Sequence, residues 1–162
     1  MHTEPTTSGS ARNLRMAIVV SRYHRPVTDA LRAGAVARFL SAGGAEDDLL
    51  MVEAPGAFEL VAIARSLAGR EDIDAVVALG CVITGETPHD QYICNAVATG
   101  LASISVQTGV PVAFGVLTCR TLEQAHARAG GEHGNKGDEA MAAAIDAALT
   151  IRAIDAAKER VN

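Results

Sequence analysis

Tryptophan is absent from this 162-residue chain, and only five aromatic residues are present: Tyr23, Phe39, Phe58, Tyr92 and Phe114. Lysine is scarcer still, with Lys136 and Lys158 alone. That leaves little choice for a Schiff-base lysine, so imine chemistry here would take its amine from a substrate. The three cysteines, Cys81, Cys94 and Cys119, are odd in number and lack C-x-x-C spacing. They read as small buried residues in a reducing compartment, not as a disulfide framework or zinc knuckle. The five histidines show neither H-x-x-x-H nor H-E-x-x-H spacing, so no metal site is expected. Apolar runs are short, residues 75–79 being typical, whereas a spanning helix needs about 20 residues; no membrane segment is expected. The N-terminal MHTEPTTSGSARN has neither the basic start nor the apolar stretch of a signal peptide. Residues 1–13 therefore read as a mobile tail and the location as cytoplasmic. A net charge of −5 disfavours nucleic acid or an anionic membrane as the main partner.

What is present is apolar and regularly arranged. Apolar residues make up 49% of the chain, which excludes general disorder, and the length fits one domain over residues 14–162. Four β-branched runs read as strands: Met16-Ala-Ile-Val-Val20, Leu49-Leu-Met-Val52, Asp74-Ala-Val-Val-Ala-Leu79 and Val110-Pro-Val-Ala-Phe-Gly-Val116. They are continuously apolar, as strands are when a parallel sheet is covered on both faces. Pro111 falls near a strand start, where a missing N–H does little harm. Helical patterns lie between them, over residues 57–67 and 88–107 and from Pro26, with a short helix at 122–128 and an Ala-rich one at 136–159. Residues 130–134, rich in glycine, separate the last two. This alternation predicts an α/β fold, a single-domain three-layer αβα sandwich around a four-stranded parallel sheet. Right-handed crossovers put the strand-to-helix loops, residues 21–26, 53–59, 80–90 and 117–121, on one rim, where such sheets bind ligands.

The rim carries the chemistry. Three of the five aromatics, Tyr23, Phe58 and Phe114, fall in or beside these segments. Each alone could fill the core, but together they suit stacking on a flat heterocycle. In Gly85-Glu-Thr-Pro-His-Asp90, Thr87 reads as an N-cap, Pro88 as the first helical residue and Thr87-x-x-Asp90 as a capping box. That is ordinary helix initiation, yet Gly85 also leaves open N–H groups suited to a phosphate or carboxylate. His89 then stands in the first turn at the rim, where an imidazole suits proton transfer as well as capping. Glu59, expected in a first helical turn, either complements the helix dipole or accepts hydroxyl hydrogen bonds. Arg128 is either a solvated surface cation or an anion clamp. No G-x-G-x-x-G follows the first strand, and Gly134-Asn-Lys-Gly137 lacks the lysine–hydroxyl pair of a Walker loop, so neither nucleotide motif is present.

Taken together, Ala54-Pro-Gly-Ala-Phe-Glu-Leu60, Gly80-Cys-Val-Ile-Thr-Gly-Glu-Thr-Pro-His89, Phe114-Gly-Val-Leu-Thr118 and Arg128-Ala-Gly with Gly134-Asn-Lys-Gly137 resemble the lumazine synthase family in order and spacing. The resemblance covers roughly residues 15–150. It implies a flavodoxin-like strand order and condensation of 5-amino-6-(D-ribitylamino)uracil with 3,4-dihydroxy-2-butanone 4-phosphate. The product is 6,7-dimethyl-8-ribityllumazine, the last intermediate before riboflavin. It further implies that Tyr23 stacks on the heterocycle, and that Ala57, Phe58 and Glu59 border the ribityl chain. Cys81, Val82 and Ile83 would line the pyrimidine edge, Glu86 and Thr87 would meet the phosphate ester, and His89 would transfer protons. Phe114 and Arg128 would come from a neighbouring subunit, Arg128 holding the phosphate. The implied state is a homopentamer, a decamer or a 60-subunit shell, with no cofactor, and riboflavin synthase is a candidate partner. His24 stands where asparagine is frequent in the family, and Asp90-Gln91 where an aromatic–aspartate pair is usual. The competing expectations are a paralogue that only binds a flavin or lumazine, and a purely shell-forming subunit; either would need no His89 and Arg128 pair.

Overall fold

Strands of nearly uninterrupted Val, Ile, Leu and Ala have no face to show to water, so helices must cover the sheet on both sides. In the computed structural model, which describes residues 9–159, β1 (Met16–Ser21), β2 (Leu49–Ala54), β3 (Ala75–Ile83) and β4 (Val112–Cys119) form that sheet. All its pairings are parallel, in the order β2-β1-β3-β4. The helices are α1 (Arg25–Ser41), α2 (Leu60–Ala68), α3 (His89–Thr108), α4 (Leu122–Ala127) and α5 (Lys136–Glu159).

Alternate residues of each strand face opposite layers. Met16, Ile18, Val20, Val77 and Leu79 pack with Val27, Leu31 and Phe39 of α1 and Met141 and Ile145 of α5. Ala17, Val19, Val76, Ala78 and Val116 pack with Leu60 and Leu67 of α2 and Val97, Leu101 and Ile104 of α3. Each fully buried large aliphatic side chain contributes about 1.5–3 kcal/mol, so the two apolar layers hold the sandwich without disulfides. The result is the expected three-layer, flavodoxin-like fold. Among the described residues, no helix is long and apolar enough to cross a membrane.

Several local expectations shift. β3 and β4 run past their apolar cores to Ile83 and Cys119, because each supplies the other's ladder partners as far as Ile83 opposite Cys119. Pro111 lies just before β4, and its carbonyl accepts the Val76 N–H at 2.9 Å, the one ladder bond a proline can make. Helix α2 begins at Leu60, not Ala57, since the Leu60 N–H closes a turn on the Ala57 carbonyl at 3.2 Å. Helix α3 is capped by the Pro88 position, with no side-chain cap; the Thr87 hydroxyl expected there is bound to His89 instead. The glycine-rich break holds a small antiparallel pair, β5 (Ala129–Gly131) with β6 (Gly134–Asn135). Of the segment read as a tail, residues 1–8 lie outside the described residues, whereas Ala11 is buried and its N–H donates to the Ala42 carbonyl at 2.8 Å.

Gly134-Asn-Lys-Gly137 acquires a structural purpose. Asn135 Oδ1 accepts the N–H groups of Gly137 (2.9 Å) and Asp138 (3.3 Å), and its Nδ2 donates to the Ala30 carbonyl at 2.9 Å. One side chain thus caps α5 and ties it to α1. A methyl group at Gly137 would overlap the Leu31 carbonyl oxygen, so α5 can start this close to α1 only with glycine there. Asn135→Ala is expected to lower stability by about 1 kcal/mol, read as a lower urea midpoint; an unchanged midpoint would mean that solvent caps α5 equally well.

Candidate active site

Unequal strand lengths create the pocket. The β1–β3 ladder ends at Val20 opposite Leu79, whereas β3 continues to Ile83 with β4 alone as neighbour. In a parallel ladder, the N–H and C=O of one residue point to the same side and alternate along the strand. The N–H groups of Val76 and Thr84 bond to β4 carbonyls; even-numbered positions therefore face β4. Cys81 and Ile83 consequently turn their peptide groups to the open side. This edge lies at the C-terminal end of β3 beside β1, the point where the strand order reverses and such folds receive ligands.

A cavity of about 370 Å³ occupies that position. Three segments enclose it: Tyr23 and His24 after β1, residues 56–59 after β2, and residues 81–83 with His89 and Ile93 from β3 and α3. Tyr23 and Phe58 are 68% and 58% exposed, so they do not fill the core; each leaves an aromatic face at the cavity mouth, suited to a flat ring. The Tyr23 N–H donates to Ser21 Oγ at 3.2 Å, and its ring meets that of His24 edge-on at 6.1 Å.

His24 adopts a left-handed conformation, with φ of 55°. Such a backbone is uncommon outside glycine and costs of order 1 kcal/mol, a cost that clusters at functional sites. Here it turns the chain so that the His24 carbonyl accepts the Val27 and Thr28 N–H groups. Glu59 occupies the N-cap position of α2 but makes no capping bond. Its carboxylate lies against Gly56, close to the Tyr23 ring, and has no hydrogen-bond partner among the described residues. It is free to accept hydroxyls.

His89 opens α3 with its Nδ1 held 2.5 Å from Thr87 Oγ1. That contact restricts the ring and leaves Nε2 without a partner among the described residues, the arrangement expected of a positioned acid–base group. Glu86 and Thr87 lie exposed on the bend before α3. The remaining expected residues stand elsewhere. Phe114 is 43% exposed on β4, opposite Ala78 and away from the rim. Arg128 closes α4 and lines a separate cavity with Glu123, Glu132 and His133. A single chain therefore gathers Tyr23, Ala57, Phe58, Glu59, Cys81, Val82, Ile83 and His89, but not Phe114 or Arg128. His24 entered the sequence reading only as a departure from the family pattern and Ile93 only as an apolar position of the α3 repeat, yet both line the cavity. A left-handed turn at His24 leaves no periodic signal, and the repeat does not tell a core position from a cavity wall.

The thiols offer no nucleophile. Burial, then the neighbouring Cys119, pushes Cys81 up to about 12. Burial also raises Cys119, against the pull of Arg128, and raises Cys94 beside Asp90. At neutral pH these side chains are neutral thiols. Among the described residues, no group of three His, Cys, Asp or Glu side chains could hold a metal.

Fold and pocket define a three-layer, flavodoxin-like α/β protein with a ligand-sized cavity at its topological switch point. The sequence model of the 6,7-dimethyl-8-ribityllumazine synthase family matches residues 13–152. This chain belongs to that family. It is 50% identical over 150 residues to the 6,7-dimethyl-8-ribityllumazine synthase of Streptomyces coelicolor, covering 90% of this chain and 91% of that one. The enzyme of the same name from Thermus thermophilus is 46% identical over 145 residues, covering 90% and 92% of the two chains. That of Aquifex aeolicus is 45% identical over 145 residues, covering 90% and 94%.

Proposed function

We propose that the protein condenses 5-amino-6-(D-ribitylamino)uracil with 3,4-dihydroxy-2-butanone 4-phosphate to 6,7-dimethyl-8-ribityllumazine, releasing phosphate and water, in the cytoplasm. The observation that carries this reading is one cavity holding two exposed aromatic faces, an unbonded carboxylate, an unpaired strand edge and a tethered imidazole. The flat pyrimidine stacks on Tyr23 and meets the open peptide groups of Cys81 and Ile83 along its polar edge. Phe58 and Ala57 flank the ribityl chain, and Glu59 accepts its hydroxyls.

The pyrimidine's own amine attacks the ketone, as the scarcity of lysine requires, and water leaves on imine formation. Phosphate is then eliminated to leave an enol that becomes a ketone, and the ribityl-bearing nitrogen adds to that carbonyl and closes the ring with loss of a second water. Each step moves protons, and His89 carries them while Thr87 fixes its ring. Holding both substrates in attack geometry supplies much of the remaining acceleration. Glu86 and Thr87 lie beside the phosphate, and Arg128 of an adjacent subunit neutralises it; Phe114 of that subunit closes over the heterocycle.

This division requires a homo-oligomer, a pentamer or an assembly of pentamers. The surface of α3 supports it: residues 91–108 contain no charged side chain, while Tyr92 and Val106 are 74% and 87% exposed, a composition suited to burial between subunits. Mixing both substrates with the purified protein and following lumazine absorbance tests the activity; a rate no higher than the spontaneous one refutes it. Light scattering tests the assembly, and a monomer at micromolar concentration removes the shared site.

A further inference from the structure

Two separate loops must hold their aromatic and carboxylate groups in register for the cavity to work. One is the β1–α1 turn with Tyr23 and His24; the other is the β2–α2 segment with residues 56–59. A backbone bond from the Arg22 N–H to the Ala54 carbonyl, at 2.9 Å, extends the strand ladder by one step, and among the described residues no further backbone bond joins the two loops. The residue after His24 is Arg25, and the residue before Ala54 is Glu53. Their side chains meet fork to fork: Arg25 Nη1 donates to Glu53 Oε1 at 3.2 Å and Nη2 to Oε2 at 3.1 Å.

Glu53 is also 3.9 Å from Arg32, which itself pairs with Asp29 at 2.9 Å. A row of four charges thus runs from the end of β2 along the first two turns of α1. We propose that the Arg25–Glu53 pair is a positioning device for the substrate heterocycle. It sets the separation of the two loops, and with it the gap between Tyr23 and the Phe58–Glu59 wall.

Chemistry and placement support this assignment. Paired N–H···O bonds between planar groups fix orientation as well as distance. The pair does not touch the cavity, so it acts through the loops it joins. Both side chains are substantially exposed, and exposed ion pairs add little to global stability. The left-handed His24, adjacent to Arg25, has no side-chain capping bond of its own; the Ser21 and Thr28 hydroxyls and backbone bonds hold the turn locally, and Arg25 is what ties it to the end of β2 through a side chain.

The inference rests on the heterocycle-binding reading of this cavity, and the experiment separates the two. Binding of 6,7-dimethyl-8-ribityllumazine, followed by its fluorescence, and turnover of both substrates are measured on the full-length protein. Absence of both in the wild type overturns the functional reading itself. With an active wild type, Arg25→Leu and Glu53→Gln are each expected to weaken product binding and to raise KM for the pyrimidine about five-fold. kcat, KM for the phosphate substrate and the melting temperature should stay close to wild type. The charge-reversed double variant Arg25→Glu/Glu53→Arg should recover most of the loss, and raised salt should weaken wild-type binding while leaving Glu53→Gln unaffected. Wild-type affinity in both single variants overturns the proposal. So does a loss that charge reversal fails to recover while melting and assembly are intact.

Discussion

His89→Ala is expected to lower kcat by about two orders of magnitude while leaving fold and assembly unchanged. The magnitude follows from the ordinary worth of a positioned acid–base group, about 10²–10⁴-fold, taken at its lower end because the substrates bring their own nucleophile. The structural part follows from exposure: His89 stands at the start of α3, and among the described residues its one side-chain bond is to Thr87 Oγ1. Removing it disturbs neither apolar layer. Thr87→Ala should fall between the two, since it frees the ring without removing it. Stopped-flow absorbance under saturating substrates reads kcat directly, and unchanged turnover in His89→Ala would remove the proton-transfer role.

Arg128→Ala is expected to raise KM for 3,4-dihydroxy-2-butanone 4-phosphate about 10- to 100-fold, with a much smaller effect on the pyrimidine. Hydrogen bonds to a charged group are worth about 1.5–3 kcal/mol, which converts to that range. Arg128→Lys should recover part of the loss, because charge remains but the planar fork does not. In its own chain Arg128 shares a cavity with Glu123 and Glu132, surroundings that repel a phosphate, so its proposed work is done across a subunit boundary. Mixing therefore provides a sharper test. Oligomers reassembled from equal amounts of His89→Ala and Arg128→Ala subunits should regain activity in about a quarter of their sites, as random neighbours place an intact His89 opposite an intact Arg128. No recovery in verified mixed oligomers would place both residues in the same subunit's site.

Much of this site was legible from residue type and local order. Tyr23, Phe58, Glu59 and His89 were assigned to one rim because parallel βα units place their loops together, and the cavity contains all four. Boundaries were less legible. The apolar run ending at Leu79 did not disclose that β3 continues to Ile83, because residues 80–83 remain strand only while β4 pairs with them. Thr87 looked like a cap on composition, but its hydroxyl is engaged by a ring two residues on. The part His24 plays in lining the cavity depends on a backbone conformation that no hydrophobic pattern encodes.

Sequence alone determined the layers, the strand-to-helix alternation and the chemistry available at the rim, since these follow from periodicity and side-chain type over a few neighbouring residues. Tertiary structure decided where β1 stops against β3, which peptide groups are left open, and which distant charges meet, as Arg25 does Glu53. Those outcomes depend on ladder register and on contacts between residues tens of positions apart, which local propensity does not specify.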